Sequence, residues 1–82
     1  MLEELLTSHK VVGFKQTSRS IREGNAVKAF VAYDAEEKVT LPIIKDCFDF
    51  KVPVIKVPSM KELGQACGIS VGAAVCAIVK DD

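Results

Sequence analysis

The sequence contains no apolar run approaching the ~20 residues that a membrane-spanning helix requires. Its first residues also lack the basic start and the long apolar stretch of a secretory signal peptide. We therefore expect a protein that acts in the cytoplasm, where it is made, without a membrane partner. Internal repeats, low-complexity segments and linkers are absent as well, so the 82 residues predict a single domain over 1–82.

Cysteine and histidine, which form disulfides, ligate metals and take part in catalysis, are few. Cys47, Cys67 and Cys76 are an odd set without a short paired spacing, which excludes a disulfide framework and a zinc ribbon, and we expect all three thiols to be buried and inert. The single histidine, His9, is expected in a leucine-rich first helix, in a surface or capping role. With no nucleotide-binding glycine loop and no paired carboxylates, we expect no cofactor, no metal and no catalysis. A thiol-dependent enzyme is a distant alternative.

A net charge of one sign is also absent, because eleven basic residues balance eleven acidic ones. Taken alone, this balance argues against a nucleic-acid partner. The cations are nevertheless clustered in residues 10–28, whereas anions predominate in residues 29–50. The cluster consists of Lys10, Lys15, Arg19, Arg22 and Lys28, with Glu23 as its one anion.

Apolar spacing and turn signals predict an alternation of four helices and four strands. The predicted helices span about 2–10, 15–23, 39–50 and 59–67, and the predicted strands span 11–12, 27–33, 53–57 and 73–79. This pattern is typical of a sheet covered by helices on both faces. The predicted fold class is therefore α/β, a three-layer α/β/α sandwich with a mixed four-stranded sheet.

Helical periodicity also predicts which residues face the core, and glycines predict where helices end. Gly24 and Gly68 are expected to end the second and fourth helices in the left-handed conformation. Pro42 is expected in the first turn of the third helix, where a missing N–H is tolerated. The predicted buried faces are Phe14, Ser18 and Ile21 in the second helix and Leu41, Ile44, Cys47 and Phe48 in the third.

The first candidate binding segment is 13–19, where a strand ends in Gly13 and a helix follows. Free N–H groups and the helix dipole at such a junction suit a phosphate or a base edge. Lys15, Arg19 and Arg22 share one helical face, and Gln16 among them is suited to base edges. The same spacing is typical of a solvated helix face, and spacing alone favours that interpretation over a binding site.

The second candidate is the loop of residues 68–74, which is small and apolar where loops are normally polar. Ile69 is expected to lie in the core. For Val71, between Ser70 and Gly72, burial and outward contact with a partner such as an unstacked base are both open.

Two segments together resemble the L-seven-Ae family of ribosomal proteins. They are residues 13–24, GFKQTSRSIREG, and residues 59–74, SMKELGQACGISVGAA. The resemblance covers nearly the whole chain and implies the family's activity, recognition of the kink-turn. This RNA motif is a helix bent at a three-nucleotide bulge that is followed by tandem sheared G·A pairs.

The resemblance also implies which residues bind RNA. In the family, the start of the second helix touches the guanines of the G·A pairs, and an apolar loop covers the flipped-out bulge nucleotide. The matching positions are Gly13, Lys15, Gln16 and Arg19 in the helix segment and Ile69, Ser70, Val71 and Gly72 in the loop. Glu36 matches a family glutamate beside the same nucleotide, although the helix dipole alone also favours a carboxylate there.

Two departures separate the chain from many archaeal and eukaryotic members. Lys15-Gln16 replaces asparagine-glutamate, and Gly72 stands where proline is frequent. Gln16 can still accept a hydrogen bond from a guanine edge and Lys15 can reach a phosphate, so we expect RNA binding to survive these departures. The pattern and the short length resemble the bacterial branch. The implied partner is structured RNA, in ribosomal RNA or a riboswitch, bound by a ribosomal-protein-like monomer for which the ribosome is a further expected partner. The alternative is a ribosome-associated protein-interaction module of the same fold.

Overall fold

The computed structural model describes residue 2 and residues 4–80, and within them it confirms the alternation of helices and strands. The elements are α1 (Glu4–Thr7), β1 (Lys10–Val12), α2 (Phe14–Arg22), β2 (Ala26–Ala32), α3 (Glu37–Phe50), β3 (Val54–Val57), α4 (Met60–Cys67) and β4 (Val75–Val79). None of the helices in the described part of the chain has the length and apolarity to cross a membrane.

The four strands form one mixed sheet in the order β1-β4-β2-β3. Strand β4 runs antiparallel to both β1 and β2, whereas β2 and β3 are parallel. The predicted 27–33 strand is thus β2, shifted by one residue and internal to the sheet. The predicted 73–79 strand begins later, at Val75, because the Ala73 N–H donates to the Met60 carbonyl in α4 instead of joining the sheet (3.0 Å).

Two hydrophobic cores lie on opposite faces of the sheet, as the three-layer prediction requires. Successive residues of β2 alternate between them, so that Phe30 belongs to one core and Ala29 to the other. On the Phe30 side, α1 contributes Leu5 and α4 contributes Leu63. The opposite core contains Ile21 of α2 and Ile43 and Cys47 of α3.

Capping residues bound α2 and α4 where the sequence predicts. Ser59 precedes α4 and accepts a hydrogen bond from the Glu62 N–H at 3.1 Å, which satisfies a donor of the first turn. Gly68 follows α4 with φ 79°, and Gly24 lies just beyond α2 with φ 75°. Both glycines adopt the left-handed conformation, which confirms their predicted role.

The predicted buried face of α2 is correct only at Ile21. Phe14 is 41% exposed, while Thr17 and Ser20 are buried instead. The apolar pattern is misleading here because α2 packs through small polar residues. Ser18, at the edge of this face, donates a hydrogen bond from its hydroxyl to Asp46 Oδ2 of α3 at 3.0 Å.

The predicted buried face of α3 is also partly wrong. Leu41 and Phe48 are exposed, and Phe48 is the more so at 83%. Thr40 and Asp46 are buried in their place, because Asp46 faces α2 and accepts its hydrogen bond. Since α3 begins at Glu37, Pro42 is its sixth residue and lies in the second turn, exposed to solvent.

The first helix is shorter than predicted, because α1 ends at Thr7. Lys10 belongs to β1, and His9 is an exposed residue between the two elements. The carbonyl of His9 accepts a hydrogen bond from the Val79 N–H at 2.9 Å, so the chain is extended alongside β4 from this point. Pairing with β4 therefore overrides the helical spacing.

Candidate nucleic-acid interface

The segments predicted to bind RNA leave the sheet at the same end. The Gly13 N–H at the end of β1 donates to the Val75 carbonyl at the start of β4 (3.0 Å). The Ala32 N–H at the end of β2 donates to the Ala74 carbonyl just before β4 (2.9 Å). Residues 13–19, 33–36 and 69–72 therefore emerge side by side, and we call them together the strand-end surface.

Gly13 occupies a conformation that only glycine adopts without strain. Its φ of 102° and ψ of 162° lie outside the ranges of L-residues, and no atom beyond its two chain neighbours lies within 4 Å of the position that a Cβ would occupy. Its carbonyl accepts the hydrogen bond of the Thr17 N–H (3.0 Å), the first one within α2. The preceding N–H groups of the first turn lack helical acceptors and are available to an anion or a carbonyl.

Two cations of the basic 10–28 cluster are neutralised by the fold. Arg22 Nε lies 3.4 Å from Asp46 Oδ2 of α3, and Lys28 Nζ lies 2.8 Å from Glu4 Oε1 of α1. Arg22 thus shares a helical face with Lys15 and Arg19, as predicted, but its guanidinium is directed to α3. Its charge therefore contributes to the contact between α2 and α3.

On α2, the side chains of Lys15, Gln16 and Arg19 are all exposed. Among the described residues, no carboxylate forms an ion pair with Lys15 or Arg19. These two cations are thus available for phosphate or base-edge contacts.

The loop of the strand-end surface is held at both ends by α4. The Ile69 N–H donates to the Gly64 carbonyl at 3.1 Å, and the Ala73 N–H donates to the Met60 carbonyl at 3.0 Å. Gly64 is required for this close packing, because a Cβ at this position would collide with the Val71 carbonyl oxygen. Gly64 therefore determines the course of the loop.

The structure excludes the burial of Val71, which is 68% exposed and points outward. Ile69 is 37% exposed, so the expectation that it lies in the core is wrong. The hydrogen bonds to α4 use the loop backbone and leave its apolar side chains at the surface. Ser70 and Gly72 are exposed beside them.

A shallow cleft separates this loop from the exposed side of α4. Asp34, Lys61 and Gln65 border it together with Met60 and the loop residues. Sequence reasoning missed these three. Local sequence patterns do not reveal the position of Asp34, because it depends on a long-range contact. Asp34 Oδ1 accepts a hydrogen bond from the Met60 N–H, 26 residues away, at 2.8 Å.

Glu36 is exposed and directly precedes the first turn of α3, with φ −65° and ψ 138°. Its carboxylate Oε2 lies 3.3 Å from Lys38 Nζ. Glu36 thus emerges at the strand-end surface but does not border the cleft, where Asp34 supplies a carboxylate. Its position at the N-terminus of α3 is also one where the helix dipole alone favours a carboxylate.

All three thiols are buried, as predicted. Burial, helped by the negative charge of Asp46, raises the pKa of Cys47 to about 11. Burial also raises the pKa of Cys76, and neighbouring Cys67 adds to the effect. Within residue 2 and residues 4–80, no three His, Cys, Asp or Glu side chains are gathered as metal ligands.

Comparison with known proteins confirms the family resemblance over nearly the whole chain. The model of the ribosomal protein L7Ae/L30e/S12e/Gadd45 family matches residues 3–82. An RNA-binding protein of Geobacillus sp. (strain WCH70) is 46% identical over 79 residues, which cover 95% of this chain and 96% of the relative. The RNA-binding protein YbxF of Geobacillus stearothermophilus is 44% identical over the same length, with the same coverage.

Solved structures show the same fold. The Giardia lamblia 15.5kD RNA binding protein superposes with a TM-score of 0.86 at 27% identity, covering 99% of this chain and 69% of that one. A Bacillus halodurans protein of unknown function superposes with a TM-score of 0.87 at 19% identity, covering 96% and 83% of the two chains. Since the family model spans nearly every residue and relatives exceed 40% identity, the chain belongs to the ribosomal protein L7Ae/L30e/S12e/Gadd45 family.

Proposed function

We propose that this protein binds structured RNA and recognises the kink-turn, without catalysing a reaction. The observation that carries the proposal is the placement of the 13–19 segment and the 69–72 loop at one end of the sheet, on the strand-end surface. The relatives that are named RNA-binding proteins support the general class of partner.

The start of α2 supplies the polar part of the interface. Open space around Gly13 lets a nucleic acid approach the free N–H groups of the first turn. Lys15 contacts a phosphate, and Gln16 and Arg19 reach the guanine edges of the sheared G·A pairs. Phosphate contacts fix the register of the protein on the RNA, and base-edge contacts select the motif.

The loop supplies the apolar part. Val71 presents an exposed apolar side chain on a backbone that is fixed to α4 at both ends. A bulge nucleotide that has left its helix exposes its own apolar face, which such a side chain covers. Because the loop is already ordered, little conformational entropy is lost on binding.

The physiological target that we propose is a kink-turn of ribosomal RNA or of a riboswitch, bound in the cytoplasm by one copy of the protein. Titration calorimetry tests this with a standard kink-turn and the same duplex without its bulge. We expect the kink-turn to bind at least about a hundredfold tighter, a difference of about 2.7 kcal/mol.

Equal affinity for the two RNAs would contradict kink-turn recognition while leaving general RNA binding intact. Failure to bind either RNA would instead favour the protein-interaction module of the same fold.

A further inference from the structure

Phe14 is an exposed aromatic residue that the kink-turn contacts do not use. It is the first residue of α2, and 41% of its surface is accessible although periodicity predicts burial. Its ring borders a shallow depression on the outer face of α2. The other residues around the depression are Lys15, Ser18, Arg19, Arg22 and Glu23.

The helical geometry places Phe14 on the α3 side of α2. At about 100° per residue, Ser18 lies only about 40° around the helix from Phe14. The Ser18 hydroxyl is hydrogen-bonded to Asp46 of α3, which fixes the direction of this side. Gln16 and Arg19 lie about 140° or more from Phe14, so the ring extends the surface of α2 beyond the proposed guanine contacts.

The charges around the ring suit a nucleotide. Lys15 and Arg19 have no carboxylate partner among the described residues, whereas the carboxylate of Asp46 is already paired with Arg22. Glu23, the other anion of the depression, lies at the far end of α2. A flat apolar ring beside unpaired cations matches the flat base and the charged phosphate of one nucleotide.

We propose that Phe14 stacks on an unpaired nucleotide next to the kink-turn, so that the protein prefers kink-turns with such a flanking nucleotide. This inference rests on the proposed RNA-binding function. The base lies on the Phe14 ring, and its phosphate is held by Lys15, the neighbouring cation of the depression.

The test compares Phe14→Leu with the wild type by fluorescence anisotropy. One RNA is a kink-turn with flush ends, and the others carry a three-nucleotide unpaired extension on either strand. We expect the wild type to bind at least one extended RNA more tightly and Phe14→Leu to lose about five- to a hundredfold in affinity for it. Both proteins should bind the flush-ended RNA alike, and Phe14→Tyr should retain the preference.

Phe48→Leu is the matched control, because it removes an aromatic ring that is 83% exposed on α3, outside the depression. A second measurement is the proton NMR signal of the Phe14 ring in the wild type, which should move upfield on binding the extended RNA. Equal affinity of Phe14→Leu and wild type for every RNA, or an unshifted ring signal, would overturn the inference. If the wild type binds no kink-turn at all, the proposed function itself fails.

Discussion

The Val71→Asp variant tests whether the side chain of Val71 contacts RNA or lies in the core. Because Val71 is 68% exposed, we expect the change to alter the free energy of unfolding by less than about 0.5 kcal/mol. Were the side chain buried, an unpaired carboxylate would cost several kcal/mol and unfold a domain of this size. The melting temperature should therefore stay close to that of the wild type.

The affinity for the kink-turn should fall by two separate effects. Burying the accessible part of a valine under a base contributes about 1–2 kcal/mol, which Val71→Asp removes. A carboxylate about 4 Å from a phosphate adds about 1 kcal/mol of repulsion at the dielectric constant of water. Together they give about 2–3 kcal/mol, or a dissociation constant about 30- to 150-fold higher.

The assay is titration calorimetry with the kink-turn RNA, alongside thermal melting of the free protein. Val71→Ala removes only the apolar cover, so its loss should be smaller, about fivefold. Phe48→Asp places the same charge on α3 and should leave the affinity unchanged. A Val71→Asp protein that melts like the wild type and binds at full strength would refute the role of the loop.

Three further predictions follow from the site and the core. Lys15→Ala should reduce the salt dependence of RNA binding by about one unit of log–log slope. Arg19→Ala should cost about 1–3 kcal/mol of binding free energy and relax discrimination against RNA with disrupted G·A pairs. Unchanged affinity in both variants would mean that this helix face is merely solvated. Gly64→Ala should lower the stability to thermal melting by about 1–3 kcal/mol, because the new Cβ displaces the Val71 carbonyl, and an unchanged Tm would contradict this packing. Since burial raises the pKa of Cys47 to about 11, its thiolate fraction at pH 8 should be about a hundredfold below that of a thiol with the ordinary pKa of 9.0. Labelling of Cys47 should therefore be slow in the folded protein, fast in denaturant and faster as the pH rises toward 11; fast labelling of the folded protein at pH 8 would count against burial.

The element order and the helix ends could be read from the sequence because local chemistry determines them. Gly24 and Gly68 end helices in the left-handed conformation that glycine adopts without strain, and Ser59 caps α4 through a hydrogen bond from a residue three positions away. Apolar periodicity predicts a buried face only where the packing partner is apolar. It therefore fails at Phe14 and Phe48, on helices whose mutual contact includes the polar group of Asp46.

Local patterns also could not show which segments of the candidate site come together. Gly13 and the loop are more than 50 residues apart and become neighbours only because β1 pairs with β4. The outward direction of Val71 depends in turn on the missing side chain of Gly64. These are tertiary effects, which spacing along the chain does not contain.

The position of the RNA on the protein tests the central claim most directly. A ¹⁵N-labelled sample titrated with a kink-turn RNA reports, through backbone amide shifts, which residues contact it. We predict that the largest shifts fall in residues 13–19 and 69–72, while the exposed residues 48–50 at the C-terminal end of α3 stay unperturbed. Shifts concentrated on α3, with the strand-end surface unchanged, would contradict the account.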